Sequence, residues 1–236
     1  VTDIHTVKTV LAVAAALLGT TAAVVRGRAS LAVLSVASFT LLALLALEIN
    51  APRIVSLDAS MFDWFYWHRF HRLRINSQDV FYYLGQPIPF AAAGVICGTL
   101  LALQARSALR AVVVIGGVAV GVAAEQTLKA VVVRTPATLA ALHDGSLVEY
   151  AHSFPSGHVT TSATLLGMIA VCLGTGCSPL TKATLAVPAV TGAVFVAFLA
   201  LHTGAHIFSD VVGGTVLSAA IVAAGTAALR PPKRRQ

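Results

Sequence analysis

Ser153-Phe154-Pro155-Ser156-Gly157-His158-Val159-Thr160-Thr161-Ser162-Ala163-Thr164-Leu165-Leu166-Gly167-Met168-Ile169-Ala170-Val171-Cys172-Leu173 is a short polar break that runs straight into an apolar stretch. A proline just inside a helix start, with a serine two positions earlier able to cap it, marks a helix N-terminus. A helix is therefore expected to open here, with Ser153 placed to cap it. Its first backbone N–H groups, those of Ser156, Gly157 and His158 among them, then lack intrahelical acceptors. The macrodipole adds partial positive charge, so the end is suited to an anion. Gly157 lets a ligand approach the backbone, Ser156 adds a hydroxyl donor, and His158 can hold or release a proton near neutral pH. Phosphate chemistry is the natural expectation; the plain alternative is a helix cap at a membrane surface.

Working outward, 57% of the 236 residues are hydrophobic and only 11% are charged, against about 25% charged in ordinary soluble domains. Spans of roughly 17 to 25 apolar residues can be drawn at Val7 to Val25, Ser30 to Asn50, Phe81 to Leu103, Ala108 to Ala130, His158 to Thr175, Ala183 to Leu201 and Ile207 to Leu229. The expected fold is all-α: a polytopic membrane bundle of about seven transmembrane helices, forming a single integral membrane domain over residues 1–236. The first span carries Lys8 and no convincing cleavage site, so it reads as a retained helix, with a signal anchor as the alternative. Cys97, Cys172 and Cys177 lie in or at the end of apolar spans without metal-ligand spacing, as small buried hydrophobes do.

The net charge of +7 does not imply nucleic acid, because the basic residues sit in short loops beside spans, where they set orientation. Arg26, Arg28, Arg106, Arg110, Lys182, Arg230, Lys233, Arg234 and Arg235 share one face, while the acids fall on or nearest the other. The first face is expected to be cytoplasmic. That places the basic tail 230–236 inside the cell and His158 at the outer face of a plasma membrane. The oligomeric state is left open.

Residues 51–80 change character. Met61 to Arg74 mixes aromatics with cations, as an interfacial segment does, and Arg69, Arg72 or Arg74 could reach a lipid head group. In the third and fourth spans small residues such as Ala91, Gly94, Gly98, Gly116, Gly117 and Gly121 favour close helix packing. Glu125, Lys129 and Arg134 then stand near the outward end of the fourth span, where ionisable groups are costly without a task or a partner. Glu125 and Lys129, four apart, can pair on one helix face, or Lys129 can point toward the helix end at Ser156. A split role is expected. The connection 134–157 returns the chain to that end and is read as the active-site loop. The last block, His202-Thr203-Gly204-Ala205-His206-Ile207-Phe208-Ser209-Asp210, sets His206 and Asp210 on one helix face. The carboxylate can accept from one imidazole nitrogen and leave the other as nucleophile or base.

A Lys/Arg block ahead of a loop, Pro155-Ser156-Gly157-His158 opening a helix, and Gly204-x-His206-x-x-x-Asp210, in this order, resemble the type 2 phosphatidic acid phosphatase (PAP2) family over about Asp58 to Gly214. The resemblance implies a six-helix core, here with one extra N-terminal helix, and a two-step phosphoester hydrolysis through a phosphohistidine without metal or other cofactor. It makes His206 the nucleophile, Asp210 its orienting carboxylate and His158 the acid for the leaving oxygen. Lys129, Arg134, Ser156 and Gly157 would hold the phosphate. Two cations of the family pattern are missing: Pro136 stands seven residues after Lys129, and Leu199 and Ala200 replace a Ser-Arg pair. Losing one well-placed donor typically costs roughly 3 to 4 kcal/mol in turnover. Substitutes are therefore sought in His202 and in Arg69, Arg72 and Arg74.

The function expected is a lipid phosphatase acting on a phosphomonoester or diphosphate at the outer face. A polyprenyl-linked substrate is preferred over a phosphatidate because the abundance of Ala, Val, Gly and Arg suggests a high-GC bacterium and envelope synthesis. The rivals are a lipid phosphotransferase and a catalytically silent lipid-phosphate binder or transporter. A generic channel would spread its polar residues through several spans.

Overall fold

A computed structural model describes residues 4–70, 73, 81–82, 87–142 and 148–230. Among these the order is α1 (Ile4–Val24), α2 (Arg28–Glu48), α3 (Pro52–Trp67), α4 (Pro87–Ala105), α5 (Ala108–Val131), a short α6 (Pro136–Ala140), a 3-10 turn (Val148–His152), α7 (Gly157–Gly174), α8 (Pro179–His202) and α9 (Phe208–Leu229). Seven of them, α1, α2, α4, α5, α7, α8 and α9, are long and apolar enough to cross a membrane. The protein is an all-α polytopic bundle, as its hydropathy implies.

Two helices make the centre. About half of α7 and of α9 is buried inside the protein, 56% and 50% of their apolar windows, against 6% for α1 and for α8. They hold the core through Leu165, Met168, Cys172, Leu217 and Ile221, against Val113, Val114 and Val118 of α5. Close approach is bought by small residues: Met168 lodges between Gly117 and Gly225, where an added Cβ would meet its Cε at 3.1 and 2.4 Å. The helix-packing expectation thus holds for Gly117, whereas Gly116 faces open space. α2 lies along α9 and is tied to it by Ser35, whose hydroxyl donates to the Ala220 carbonyl at 2.8 Å. α1 packs on α2 across the turn at Gly27, which adopts a φ of 82° that suits glycine. Lys8 and Glu48 join these two helices at 3.1 Å.

Local chemistry sets the helix ends. The fourth helix starts at Pro87 rather than at the expected Phe81. Pro87 and Pro89 both lack an N–H, which only the first turn of a helix tolerates. The second span stops at Glu48, which frees Asn50 as a clasp. Its carboxamide donates to the Val133 carbonyl at 3.0 Å and accepts from Thr135 N and Thr138 Oγ1 at 2.9 and 2.8 Å. This pins the exit of α5 beside the start of α3. In α3, Asp58 and Phe65 point inward, while Trp64, Tyr66 and Trp67 are exposed. Residues 231–236 of the basic tail and much of 71–80 lie outside the described residues.

Candidate active site

α7 and α9 begin next to each other. A Cβ on Gly214 would meet the Ser156 carbonyl at 2.7 Å, and one on Gly213 would enter the Phe154 ring. These glycines let the two polar starts touch. The cap of α7 is Ser156, not Ser153: Ser156 Oγ accepts from Val159 N at 3.4 Å and the helix begins at Gly157. Pro155 therefore precedes the cap instead of sitting in the first turn. Ser156 is fully buried, and its N–H, expected to be left for an anion, donates to the Asp210 carbonyl at 2.9 Å.

Ser153, released from capping, serves the other helix. Its hydroxyl donates to Asp210 Oδ2 at 2.7 Å. His206 Nδ1 stands 3.2 Å from the same oxygen, and Ile207 N–H donates to it at 3.3 Å. A carboxylate only accepts, so Nδ1 carries the proton and Nε2 is left with its lone pair. Asp210 Oδ1 accepts from Arg134 Nη2 at 2.6 Å. The same guanidinium donates to Ser209 Oγ, Ser153 Oγ and the Tyr150 carbonyl at 2.9, 2.9 and 3.1 Å. Arg134 is 2% exposed and Asp210 0%. Arg134 was expected to hold phosphate oxygens; its two terminal nitrogens bind the carboxylate beneath His206, two serines and a carbonyl, while its Nε has no partner among the described residues. A buried carboxylate without such a partner is strongly destabilising.

Asp58, which no motif marked, completes this base from α3. Its two oxygens accept from Ser209 N and Ser209 Oγ, both at 2.7 Å. It thereby satisfies a first-turn amide of α9 that no side chain of Ile207 can cap. Burial pushes the Asp58 carboxyl above its ordinary value, while the Ser209 bonds and Arg134 pull the other way. Tyr150 adds a further tie, its hydroxyl donating to the Gly204 carbonyl.

Facing His206, the His158 ring lies with its centroid 5.7 Å away. It is stacked on Phe81 at 4.0 Å, and its Nε2 meets the Phe81 carbonyl at 3.0 Å. The acceptor assigns the proton to Nε2. On the other side of the α7 start, Glu125 and Lys129 pair at 2.5 Å. Lys129 keeps 27% of its side chain exposed. The Glu125 carboxylate rests against Gly157, where an added Cβ would meet Oε1 at 2.6 Å. The glycine that was expected to admit a ligand thus admits a carboxylate of the same chain. Of the split role the pairing half is seen: Lys129 is paired with Glu125, and it is the Glu125 carboxylate that borders the helix end.

The order and placement of these blocks agree with a comparison of families: a model described as PAP2 superfamily matches residues 108–233. The chain belongs to the PAP2 superfamily. Its fold is similar to the crystal structure of the first transmembrane PAP2 type phosphatidylglycerolphosphate phosphatase from Bacillus subtilis. The TM-score is 0.63, with 20% identity over 80% of this chain and 92% of that one. At that identity the likeness is one of fold. No curated protein matches the sequence.

Within this PAP2 chain the departure from the family pattern at Ala200 has a physical reason. Ala200 is fully buried among Phe81, Val159 and Val211, and its carbonyl accepts from His206 N at 3.2 Å. There is no room for an arginine there as the helices are packed. His202, a candidate substitute, is buried against Phe198 and Phe70, with ring centroids 5.1 and 5.8 Å away. It is packed as an aromatic. Arg69 is brought in: its Nη2 lies where a Cβ on Gly204 would come within 2.6 Å, two residues before His206. Phe62 and Tyr66 hold its guanidinium at 5.9 and 5.2 Å. Arg72 and Arg74 lie outside the described residues.

Proposed function

We propose that this PAP2 protein is a membrane lipid phosphatase that works through a phosphohistidine on His206. The observation that carries this reading is the histidine pair: His206, with Nδ1 held by Asp210, faces His158 at 5.7 Å. Family membership and the shared fold support a phosphatase in general terms. In the first step His206 Nε2 attacks phosphorus and the bond from phosphorus to the lipid oxygen breaks. The leaving oxygen takes the Nδ1 proton of His158 in its protonated form, whose Nε2–H stays on the Phe81 carbonyl. In the second step water attacks phosphorus and the P–N bond breaks. The water's proton passes to His158, and inorganic phosphate leaves with both groups restored.

Charge builds on the non-bridging oxygens in both steps, and fixed donors stabilise it most where water is excluded. The first amides of α7, at Gly157 and His158, supply part of this. Lys129 and Arg69 supply the cationic part, Lys129 after exchanging Glu125 for substrate. Arg134 acts through Asp210. This division of labour answers the deficit of cations in the sequence without requiring Arg134 in two places. The preferred substrate is a polyprenyl phosphate or diphosphate presented from the outer leaflet, with metal ions dispensable. The basic loops at the opposite end favour that orientation.

The test is phosphate release from a panel of lipid phosphates, with chelator present, by purified protein and by its His206→Ala variant. Polyprenyl phosphate, polyprenyl diphosphate, phosphatidate and phosphatidylglycerolphosphate belong in the panel. Acid-labile, base-stable phosphate label on the native chain, absent from the variant, is the expected result. Release that persists in the variant would overturn the nucleophile. The pairing of Lys129 with Glu125 and of Arg134 with Asp210 favours a silent lipid-phosphate binder as the second reading. Binding without release at any enzyme concentration selects it, and release only on adding an alcohol acceptor selects a transferase.

A further inference from the structure

At the far end of the same central helices lies a second feature that catalysis does not use. A cavity of about 290 Å³ opens between the end of α7, the start of α8 and the end of α9. α7 has 18 residues, so this cavity lies roughly 26 Å from the His158 end at about 1.5 Å per residue. Its walls are mainly apolar, with Ala170, Ala186 and Leu229 among them, and Lys182 and Arg230 at its edge. The Lys182 stem lies across Gly174, where an added Cβ would meet its Cγ at 3.3 Å. The glycine keeps the lysine close to the cavity.

No carboxylate lines the cavity, and neither Lys182 nor Arg230 has an acidic ion-pair partner among the described residues. The two threonines of the lining cannot offer their protons to a ligand while they donate within their own helices, Thr175 to Val171 O at 2.9 Å and Thr226 to Val222 O at 2.6 Å. Just beyond the start of α8, Leu180, Val187 and Val190 are exposed, as residues facing hydrocarbon are. An apolar slot with two uncompensated cations at its mouth, set at the end of membrane spans, matches an acyl chain joined to an anionic head group.

We propose that this cavity is a binding site for an anionic phospholipid of the leaflet opposite the catalytic end. The lipid's phosphate would lie on Lys182 and Arg230, with one chain between α7, α8 and α9. Such a lipid is bound rather than hydrolysed, because the histidines are a helix length away. The inference does not rest on the phosphatase reading.

The experiment uses the full chain in vesicles of phosphatidylcholine, doped with phosphatidylglycerol or phosphatidylcholine carrying a photoactivatable acyl chain. Adducts are mapped by peptide mass spectrometry. Labelling of the end of α7 and the start of α8 is expected to favour phosphatidylglycerol by about fivefold or more, given the attraction of each basic residue for anionic lipid. The preference should fade as salt rises. It should vanish in Lys182→Gln/Arg230→Gln and persist in His206→Ala. Equal labelling by the two lipids, a preference indifferent to salt, or one unchanged in the double variant overturns the proposal. So does a preference lost in His206→Ala, which would place the lipid at the catalytic end. Displacement of the label by a polyglutamate peptide would assign the site to an acidic protein segment instead. The salt series on the unmodified chain decides the matter even if the double variant folds poorly.

Discussion

The starts of α7 and α9 touch, yet they are built in opposite ways. At α9 two carboxylates, one guanidinium and two serines meet in a buried network: Asp210, Asp58, Arg134, Ser153 and Ser209 are hydrogen-bonded to one another and to the amides of Ile207 and Ser209. At α7 a single serine caps the helix, and a partly exposed Lys129–Glu125 pair borders it. The first end fixes one imidazole, and the second holds an ion pair with one partner partly exposed. In the proposed mechanism the first is the seat of the nucleophile and the second the entrance where Lys129 exchanges Glu125 for substrate, since preorganisation serves the group that must not move.

That contrast breaks most sharply at the nucleophile. His206→Ala is expected to lower phosphate release by at least about a thousandfold, as losses of a covalent nucleophile do, while leaving the protein folded and lipid phosphate bound. Release assays beside a binding isotherm check both halves. Next in size is the seat: Arg134→Ala leaves Asp210 buried without a counter-ion and should cost about 3 to 5 kcal/mol of stability. Arg134→Lys should not restore it, because an ammonium cannot bridge Asp210, Ser209 and Ser153 as a fork does. Unfolding in detergent measures this; an Arg134→Ala chain as stable as the parent would show that the seat is not one unit.

Arg69→Ala tests the division between seat and entrance from the side of α3. Turnover should fall roughly tenfold to a hundredfold with little change in unfolding, since a donor to the transition state is lost. Asp58→Ala removes two bonds to Ser209 and should cost about 1 to 3 kcal/mol. Its pH dependence has a definite sign. The Asp58 carboxyl is raised above 3.8, chiefly by burial, so its contribution to stability is complete below the unfolded-state value and fades as pH climbs through the folded-state one. The stability of the parent relative to Asp58→Asn should therefore decline as pH rises from below 3.8, and unfolding midpoints of the two proteins across that range check it. The smallest effect is at the entrance: Glu125→Gln frees Lys129 for substrate and should lower KM a few fold, roughly what one partly exposed ion pair is worth. A raised KM would mean that Glu125 itself serves the substrate.

Much of the site was legible because its signals are short-range. His206 and Asp210 stand one helical turn apart, and a proline, serine and glycine beside His158 announce a helix start. The same local grammar misassigned Ser153 and Ser156, since either serine fits a cap and only the path of the chain past Phe154 selects between them. It also gave no sign that Arg134 pairs with Asp210. A cation near a phosphate motif reads as a phosphate ligand until its counter-ion is known. Asp58 carried no signal at all: an aspartate between Leu57 and Ala59 looks like a solvated residue until α3 is folded back onto Ser209, 151 positions away.

The number of spans, the membrane setting and the two histidine blocks follow from residue order alone, because hydrocarbon thickness and helical repeat act on contiguous residues. Which cation serves which anion does not. Arg134 meets Asp210 across 76 residues, Arg69 meets Gly204 from the segment just past α3, and Ala200 is closed to any larger side chain by its neighbours in space. Pairings of this kind depend on distances of a few ångströms between segments whose spacing in sequence carries no information about them, so they exist only once the helices have packed.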